Sequence, residues 1–286
     1  NAILGSFVAD AAAAGLHWIY DVEEVRRLGG DAPEFQPPEQ NRYHSRRRVG
    51  QLTHYGDHAL VVLESVAACG GLDPDDYRER FRARFGEGYD GYVDHATRDL
   101  LATGRGADDN QAGCFAKLPV LASRYREDPE FDARIEEGIR VTHDNTQAVR
   151  YGVAAACAIR AALRGATAAE AVDEVCRTSR AVDAVVGKVR DADPDLVAYA
   201  VATGQTCPVP HAFPVALHAA LFARDFTDAV RGGILSGGDS SGRLFVTAAI
   251  RGATDGVPKR WLEKLEPRRR IEELAGAVVE KAVLDG

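Results

Sequence analysis

Methionine is missing altogether from this 286-residue chain, tryptophan occurs twice, and aromatic residues amount to 7%. Nothing in the physical chemistry of the sequence explains the missing methionine. Long hydrophobic runs are also lacking. Arg, Asp, Glu or Gly breaks every alanine-rich stretch before the ~20 apolar residues that a membrane-crossing helix needs, so no membrane span is expected. Basic residues are the minority, 35 against 43 acidic ones for a formal charge of −8, which argues against a general nucleic-acid binder. The cysteines Cys69, Cys114, Cys157, Cys176 and Cys207 are scattered and odd in number, with neither CxxC nor Cys/His finger spacing. That pattern favours neither a disulfide framework nor a structural zinc site. No basic region followed by a hydrophobic stretch and a cleavage site opens the chain, so a reducing cytoplasm is the expected location.

What is present is helical. Hydrophobic residues at 45% and charged residues at 27% lie near the globular average, and a chain of this length can bury a sizeable core. Ile271, Leu274, Ala275, Val278, Val279 and Ala282 recur at i, i+3, i+4, i+7, i+8 and i+11, the stripe of an amphipathic helix. Similar spacing, much of it carried by alanine, runs through Leu60 to Ala67, Phe115 to Ala122, Ala148 to Leu163, Val215 to Phe222 and Leu244 to Gly252. Gly70-Gly71, Gly104 to Gly106, Asp193-Pro194, Cys207 to Pro210, Gly232-Gly233 and Gly237-Gly238 read as helix stops or loops. The least regular stretch, Gly29 to Gln51, ends in Arg46-Arg47-Arg48 and reads first as a solvated surface loop, second as a lid or an anion-steering rim. Strand signals are nearly absent. The expectation is an all-α protein, one domain over residues 1–286.

Five places concentrate polar residues where helices start or end. Asp10 lies inside an apolar helix ahead of Leu16-His17-Trp18-Ile19-Tyr20-Asp21, and a buried Asp must be paired or bind a cation. Gln51-Leu52-Thr53-His54-Tyr55-Gly56-Asp57-His58 immediately precedes the expected Leu60 to Ala67 helix. Thr53 or Asp57 there can serve as an N-cap, worth about 1 kcal/mol, while the imidazoles suit proton transfer near neutrality. Asp108 to Cys114 and Thr142 to Thr146 both lead into helices, whose starting amides either cap themselves or hold a phosphate or a sugar hydroxyl. A lone His143 taken by itself reads as structural. Ser236-Gly237-Gly238-Asp239-Ser240-Ser241-Gly242-Arg243 is the most specific stretch, since two glycines before an Asp let backbone approach a ligand closely.

In this order and spacing, from GSFVADAAAAGLHW to GGDSSGRLFVTAAIRGATDGVPKRW, the five places resemble the ADP-ribosylglycohydrolase family. LHWIYD, LTHYGDHALVVLES and GGDSSGR are most similar to its branch containing the J-type eye-lens crystallins. The resemblance implies an all-α, single compact orthogonal helical bundle, hydrolysis of the bond between ADP-ribose and an acceptor, and two Mg²⁺ ions. Carried over by residue, Asp10 matches the Asp of the family's GD element, and His17 stands where a Glu is usual. Tyr55-Gly56-Asp57-His58 is aligned with TDDT, and Gly238-Asp239-Ser240-Ser241-Gly242 with GDTDT. Gly56 and Ser241 each replace a carboxylate, so one Mg²⁺ on Asp57, Asp239, Ser240 and Asp10 is expected and a second is not. Arg243 and His58 bring positive charge that repels the metal and attracts a diphosphate.

These assignments give an expected hydrolase of a ribose N- or O-glycosidic bond, with Asp57 and Asp239 as metal ligands or water positioners and His17 as the proton-transfer group. Tyr55, His58, Asn110, Gly113, His143, Asn145 and Arg243 line the expected cleft for a small-molecule or ADP-ribosylated substrate. Two competing readings accompany it: hydrolysis of some other glycoside, and a non-catalytic protein that binds a small molecule or serves structurally as crystallins do.

Overall fold

The computed structural model describes residues 1–178 and 182–284. Sixteen α-helices and one 3-10 helix make up 66% of it, and no strand occurs among the described residues. Two isolated bridges, Ala107 with His143 and Gln111 with Pro208, tie loops together. Among the described residues no helix is long and apolar enough to cross a membrane.

The architecture is organised around the Ser240–Asp255 helix, in which every residue from Ser240 to Gly252 is buried. A helix covered on all sides needs small residues where its neighbours come closest. The Ala2–Ala13 helix crosses it at such a place: a Cβ on Gly5 would lie 2.5 Å from the Ala248 carbonyl oxygen. The Ser6 hydroxyl donates to the Phe245 carbonyl at 3.0 Å and spans the same contact. Thr146–Leu163, Val209–Phe222 and Phe226–Leu235 pack on the other sides of the central helix. The alanine-borne periodicity of the sequence is thus the periodicity of a closely packed helical interior.

Helix ends follow the punctuation with two exceptions. Thr53, Asn145 and Asp239 accept first-turn amides as N-caps, and Gly70 and Gly104 end helices in the left-handed region at φ 74°. Gly232 and Gly233, expected as a stop, lie inside the Phe226–Leu235 helix. A Cβ on Gly233 would come within 2.7 Å of Leu244 Cδ2, so its small size serves helix packing. The expected Phe115–Ala122 helix is split into a 3-10 turn, Ala112–Lys117, and an α-helix, Leu118–Arg124, with Pro119 in its first turn where a missing N–H costs nothing.

The Gly29–Gln51 stretch corrects the expectation of a solvated loop. It has no regular structure over most of its length, yet Phe35, Asn41 and His44 are buried. Asn41 Nδ2 donates to the His17 carbonyl at 2.8 Å, and its Oδ1 accepts the amides of Tyr43 and His44. One amide side chain therefore fastens the stretch over the end of the first helix and carries His44 inside.

Candidate active site

The site begins with a tight turn. Gly237 and Gly238 have φ of 64° and 65°, and a Cβ on Gly238 would lie 2.2 Å from the Gln205 carbonyl oxygen. Asp239 follows as N-cap of the central helix, its Oδ1 accepting the Gly242 amide at 3.2 Å. Its Oδ2 has no partner of normal hydrogen-bond geometry. Burial pushes the Asp239 pKa above the ordinary carboxylate range, opposed by Arg243, the Cys207 thiol, the Gly242 amide and the Tyr55 hydroxyl beside it.

His17 meets this turn from the far side. Trp18 is one of two non-glycine residues with positive φ among the described residues, at 64°, and its amide donates to Gly238 O at 2.8 Å while Gly238 N donates to Ile19 O at 2.7 Å. Those bonds hold the left-handed kink that points His17 inward. His17 Nδ1 accepts the Ser241 amide at 3.2 Å, so the ring proton sits on Nε2, which lies 3.7 Å from Asp239 Oδ1.

Two further imidazoles join it. His44 arrives on the Asn41 loop and His54 opens the His54–Cys69 helix. Ring centroids are 5.4 Å apart for His17 and His44, 5.6 Å for His44 and His54, and 6.2 Å for His17 and His54. Each ring offers a nitrogen within 4.8 Å of one on both others. Burial keeps all three neutral, each assisted by neighbouring positive charge: His17 and His54 lie well below the usual imidazole value and His44 is lowered to about 3. Asp94 pulls the other way on His54, from 3.8 Å. Trp18, Tyr43 and Tyr92 pack edge to face with one another over the cluster.

A group of buried polar atoms here has no hydrogen-bond partner: His17 Nε2, both nitrogens of His44 and of His54, and the hydroxyls of Ser240 and Ser241. Buried polar atoms are normally satisfied, so such a concentration marks a place built to receive something.

Asp57 is not in this group. Its Oδ2 accepts from Arg47 at 2.6 Å and from the Tyr89 hydroxyl at 2.7 Å, and its Oδ1 accepts from Arg84. Tyr55 and Asp57 are two residues apart, about 200° around a helix. Tyr55 faces the cluster, its ring 3.9 Å from that of His54, and Asp57 faces the arginines. The expectation that Asp57 shares an ion with Asp239 is therefore corrected, because two guanidinium groups already match its charge. Asp10 has neighbours in both groups, the Ser241 hydroxyl and Asp57. It accepts the Thr53 amide at 2.9 Å and hydroxyl at 2.5 Å, and burial raises its pKa to about 7, opposed by the Thr53 and Ser241 bonds.

The remaining expected residues divide. His143 is buried with Nδ1 2.8 Å from the Thr142 hydroxyl, and a Cβ on Gly113 would lie 3.1 Å from both His143 Nε2 and Tyr55 Cε1. Gly113 thus lets His143 and Tyr55 meet behind the cluster. Asn110 donates to Gln147 Oε1 at 2.7 Å, and Asn145 caps the Thr146–Leu163 helix while donating to Asp108 at 2.6 Å. Both stay partly exposed. His58 is turned away, with Nε2 2.8 Å from the Thr97 hydroxyl and its ring against Phe81 and Phe85. Arg243, expected to meet a diphosphate, instead donates to Gln205 O at 3.2 Å, Ser236 Oγ at 3.0 Å and Gly237 O, clamping the glycine turn from below. Sequence reasoning noticed the imidazole of His54 in its motif without assigning it a role, and missed His44, which carried no signal.

The sequence model of the ADP-ribosylglycohydrolase family matches residues 1–285. The chain belongs to the ADP-ribosylglycohydrolase family. It is 27% identical over 296 residues to an uncharacterized protein of Archaeoglobus fulgidus, covering 98% of this chain and 95% of that protein. Crystallin J1A of the jellyfish Tripedalia cystophora is 27% identical over 305 residues, 96% of this chain and 94% of the crystallin. A solved structure described as an ADP-ribosylglycohydrolase-related protein complex superposes with a TM-score of 0.75 at 26% identity, covering 98% of this chain and 96% of the other.

Proposed function

We propose that the protein hydrolyses a glycosidic bond to a ribose, of the ADP-ribosyl class, with Asp239 as the carboxylate that positions water and takes its proton. The observation that carries this reading is the buried Asp239 itself. It has a raised pKa, one oxygen without a partner, and two unpartnered hydroxyls, Ser240 and Ser241, in the next turn. A carboxylate made more basic by burial is suited to general base catalysis, and hydroxyls held beside it suit a sugar. As the water oxygen bonds to the anomeric carbon and the bond to the acceptor breaks, the proton passes to Asp239 and is returned to the departing group. His17, whose Nδ1 is taken by the Ser241 amide and whose Nε2 faces the carboxylate from 3.7 Å, positions Asp239 and does not itself carry the proton. Asn110 and Asn145 line the rim, and Gly113 with His143 supports Tyr55 beside Asp239.

The donor set does not fit two Mg²⁺ ions, and no step is routed through them. Mg²⁺ wants oxygen ligands with one or more carboxylates, whereas the atoms gathered here are mostly imidazole nitrogens and Asp57 is spent on arginines. We read the family's Thr-Asp-Asp-Thr in the register Thr53-His54-Tyr55-Gly56, two residues earlier than the sequence alignment above. Thr53 then keeps the first hydroxyl, and His54 and Tyr55 stand in both carboxylate positions.

The test is release of ADP-ribose from ADP-ribosylated arginine and serine substrates, run beside calorimetric titration with ADP-ribose. Release that disappears in Asp239→Asn supports the reading; neither release nor binding overturns it. A second reading is supported by the aromatic cover over the cluster and the likeness to Crystallin J1A: a non-catalytic protein on the same scaffold. Binding of ADP-ribose without turnover favours that alternative.

A further inference from the structure

We propose that His17, His44 and His54 bind one divalent transition-metal ion of the zinc class, in place of the Mg²⁺ ions that the family resemblance implies. The inference rests on the reading above for the use of the site, while the binding itself stands on the imidazole cluster alone. Among the described residues these three form the one group of His, Cys, Asp or Glu side chains close enough to share an ion.

Three observations converge on it. First, the three rings come from separate parts of the chain: the turn after the Ala2–Ala13 helix, the irregular loop pinned by Asn41, and the start of the His54–Cys69 helix. Their meeting is therefore a property of the fold, not of a local run of histidines. Second, five ring nitrogens in the cluster are buried without partners. Ring nitrogens left unpaired in an apolar interior are costly, and a shared cation takes up one from each ring at once, His17 after a change of tautomer. Third, the surroundings are those of a histidine metal site. The rings lie under the aromatic cover of Trp18, Tyr43 and Tyr92, and the Asp94 carboxylate stands 3.8 Å from His54 Nε2, where its charge offsets that of a cation. Asp239, 3.7 Å from His17 Nε2, adds the second negative charge beside the ion.

The chemistry selects the ion. Imidazole favours zinc and its d-block neighbours over Mg²⁺, and three protein ligands leave a coordination position open, as in catalytic rather than structural zinc sites. Ligand nitrogens about 2.0–2.1 Å from zinc lie roughly 3.4 Å from one another, so a cluster with separations up to 4.8 Å closes inward on capture. His17 changes tautomer in the process: its proton moves from Nε2 to Nδ1 and the Ser241 amide gives up its bond.

The experiment is titration of metal-stripped protein with Co²⁺, read by visible absorption, then with Zn²⁺ in competition, and separately with Mg²⁺ by calorimetry. The expected result is one equivalent of Co²⁺ with ligand-field bands, displaced by one equivalent of Zn²⁺ and not by millimolar Mg²⁺. His44→Ala and His54→Gln should each weaken binding on the order of a hundredfold or more, beyond the 10- to 100-fold typical of losing an outer partner. Circular dichroism checks that each variant is folded, and two variants in different segments keep the test usable if one is not. The proposal is overturned if folded wild type takes up neither ion, if both folded variants bind as wild type does, or if Mg²⁺ competes. Hydrolysis is measured separately, so a protein that binds zinc without releasing ADP-ribose upholds this site and defeats the catalytic reading.

Discussion

Asp57 and Asp239 are the same residue in similar places, buried near the start of a helix, and the molecule treats them in opposite ways. Asp57 is surrounded by Arg47, Arg84 and Tyr89, which together meet both of its oxygens. Asp239 faces neutral imidazoles and hydroxyls, and the one guanidinium near it, that of Arg243, spends its hydrogen bonds on Gln205 O, Gly237 O and the Ser236 hydroxyl. A buried carboxylate whose charge is matched by cations is a structural brace; one left unmatched keeps a raised pKa and chemical potential for proton transfer. The comparison shows that burial and residue type do not tell a brace from a reactive group, whereas the count of charged partners does.

The sharpest way to break the comparison is to neutralise each carboxylate in turn. Asp239→Asn keeps the helix cap and should lower turnover on the order of 10²–10⁴-fold, the usual share of a general base, with little change in melting temperature; unchanged turnover removes Asp239 from the reaction. Asp57→Asn should do the reverse. It strands two arginines and should cost about 3 kcal/mol in urea unfolding, near the low end for a broken buried pair because Arg84 is part-exposed. Zinc uptake in that variant should equal that of wild type.

Acid provides the next contrast. His17, His44, His54, His58 and His143 all have pKa values held below the ordinary imidazole value by burial, His44 to about 3 and His58 to about 4. The unfolded chain therefore binds more protons below pH ~6.5, and the stability they contribute, full above that pH, is lost as the pH falls towards 4. Asp10 acts in the opposite sense. Raised to about 7, it stabilises at low pH and loses that contribution as the pH rises through 7. Asp239, also raised by burial, acts as Asp10 does, but the lowered histidines outnumber these two carboxylates, so urea midpoints should fall from pH 7 to pH 5. His44→Phe should flatten that slope by up to about 1.4 kcal/mol per pH unit. A pH-independent midpoint would contradict neutral burial of the cluster.

The smallest expected effect sharpens the picture at the back of the site. Gly113→Ala pushes a methyl group to 3.1 Å from Tyr55 and His143, tighter than ordinary contact. The resulting shift of Tyr55 should lower turnover roughly tenfold, as small misplacements near a reacting group do. Measuring kcat and the melting temperature together separates that displacement from general destabilisation.

How much of this was legible beforehand follows from the range of the interactions concerned. The Arg268–Leu284 and Thr146–Leu163 helices were readable because periodicity is local, and Asp239 because two glycines announce a tight turn. The split at Pro119 and the helical Gly232-Gly233 pair depended on what packs against them. Asp57 was misread because a motif search follows carboxylates and says nothing of the arginines and tyrosine that the fold brings to this one. His44 left no trace in the sequence, since only the bonds of Asn41 to a turn some 25 residues away bring it in.

The chain's two tryptophans fall on opposite sides of this division. Trp261 is sealed in the core, edge-on to Phe35 and Phe226. Trp18 stacks on His17 at 4.4 Å, with its indole nitrogen 3.2 Å from the Cys207 sulfur. Any event that rearranges the imidazoles alters the surroundings of one indole and leaves the other untouched. The molecule thus carries its own optical gauge of site occupancy with an internal reference, and its intrinsic fluorescence reads the site without an added label.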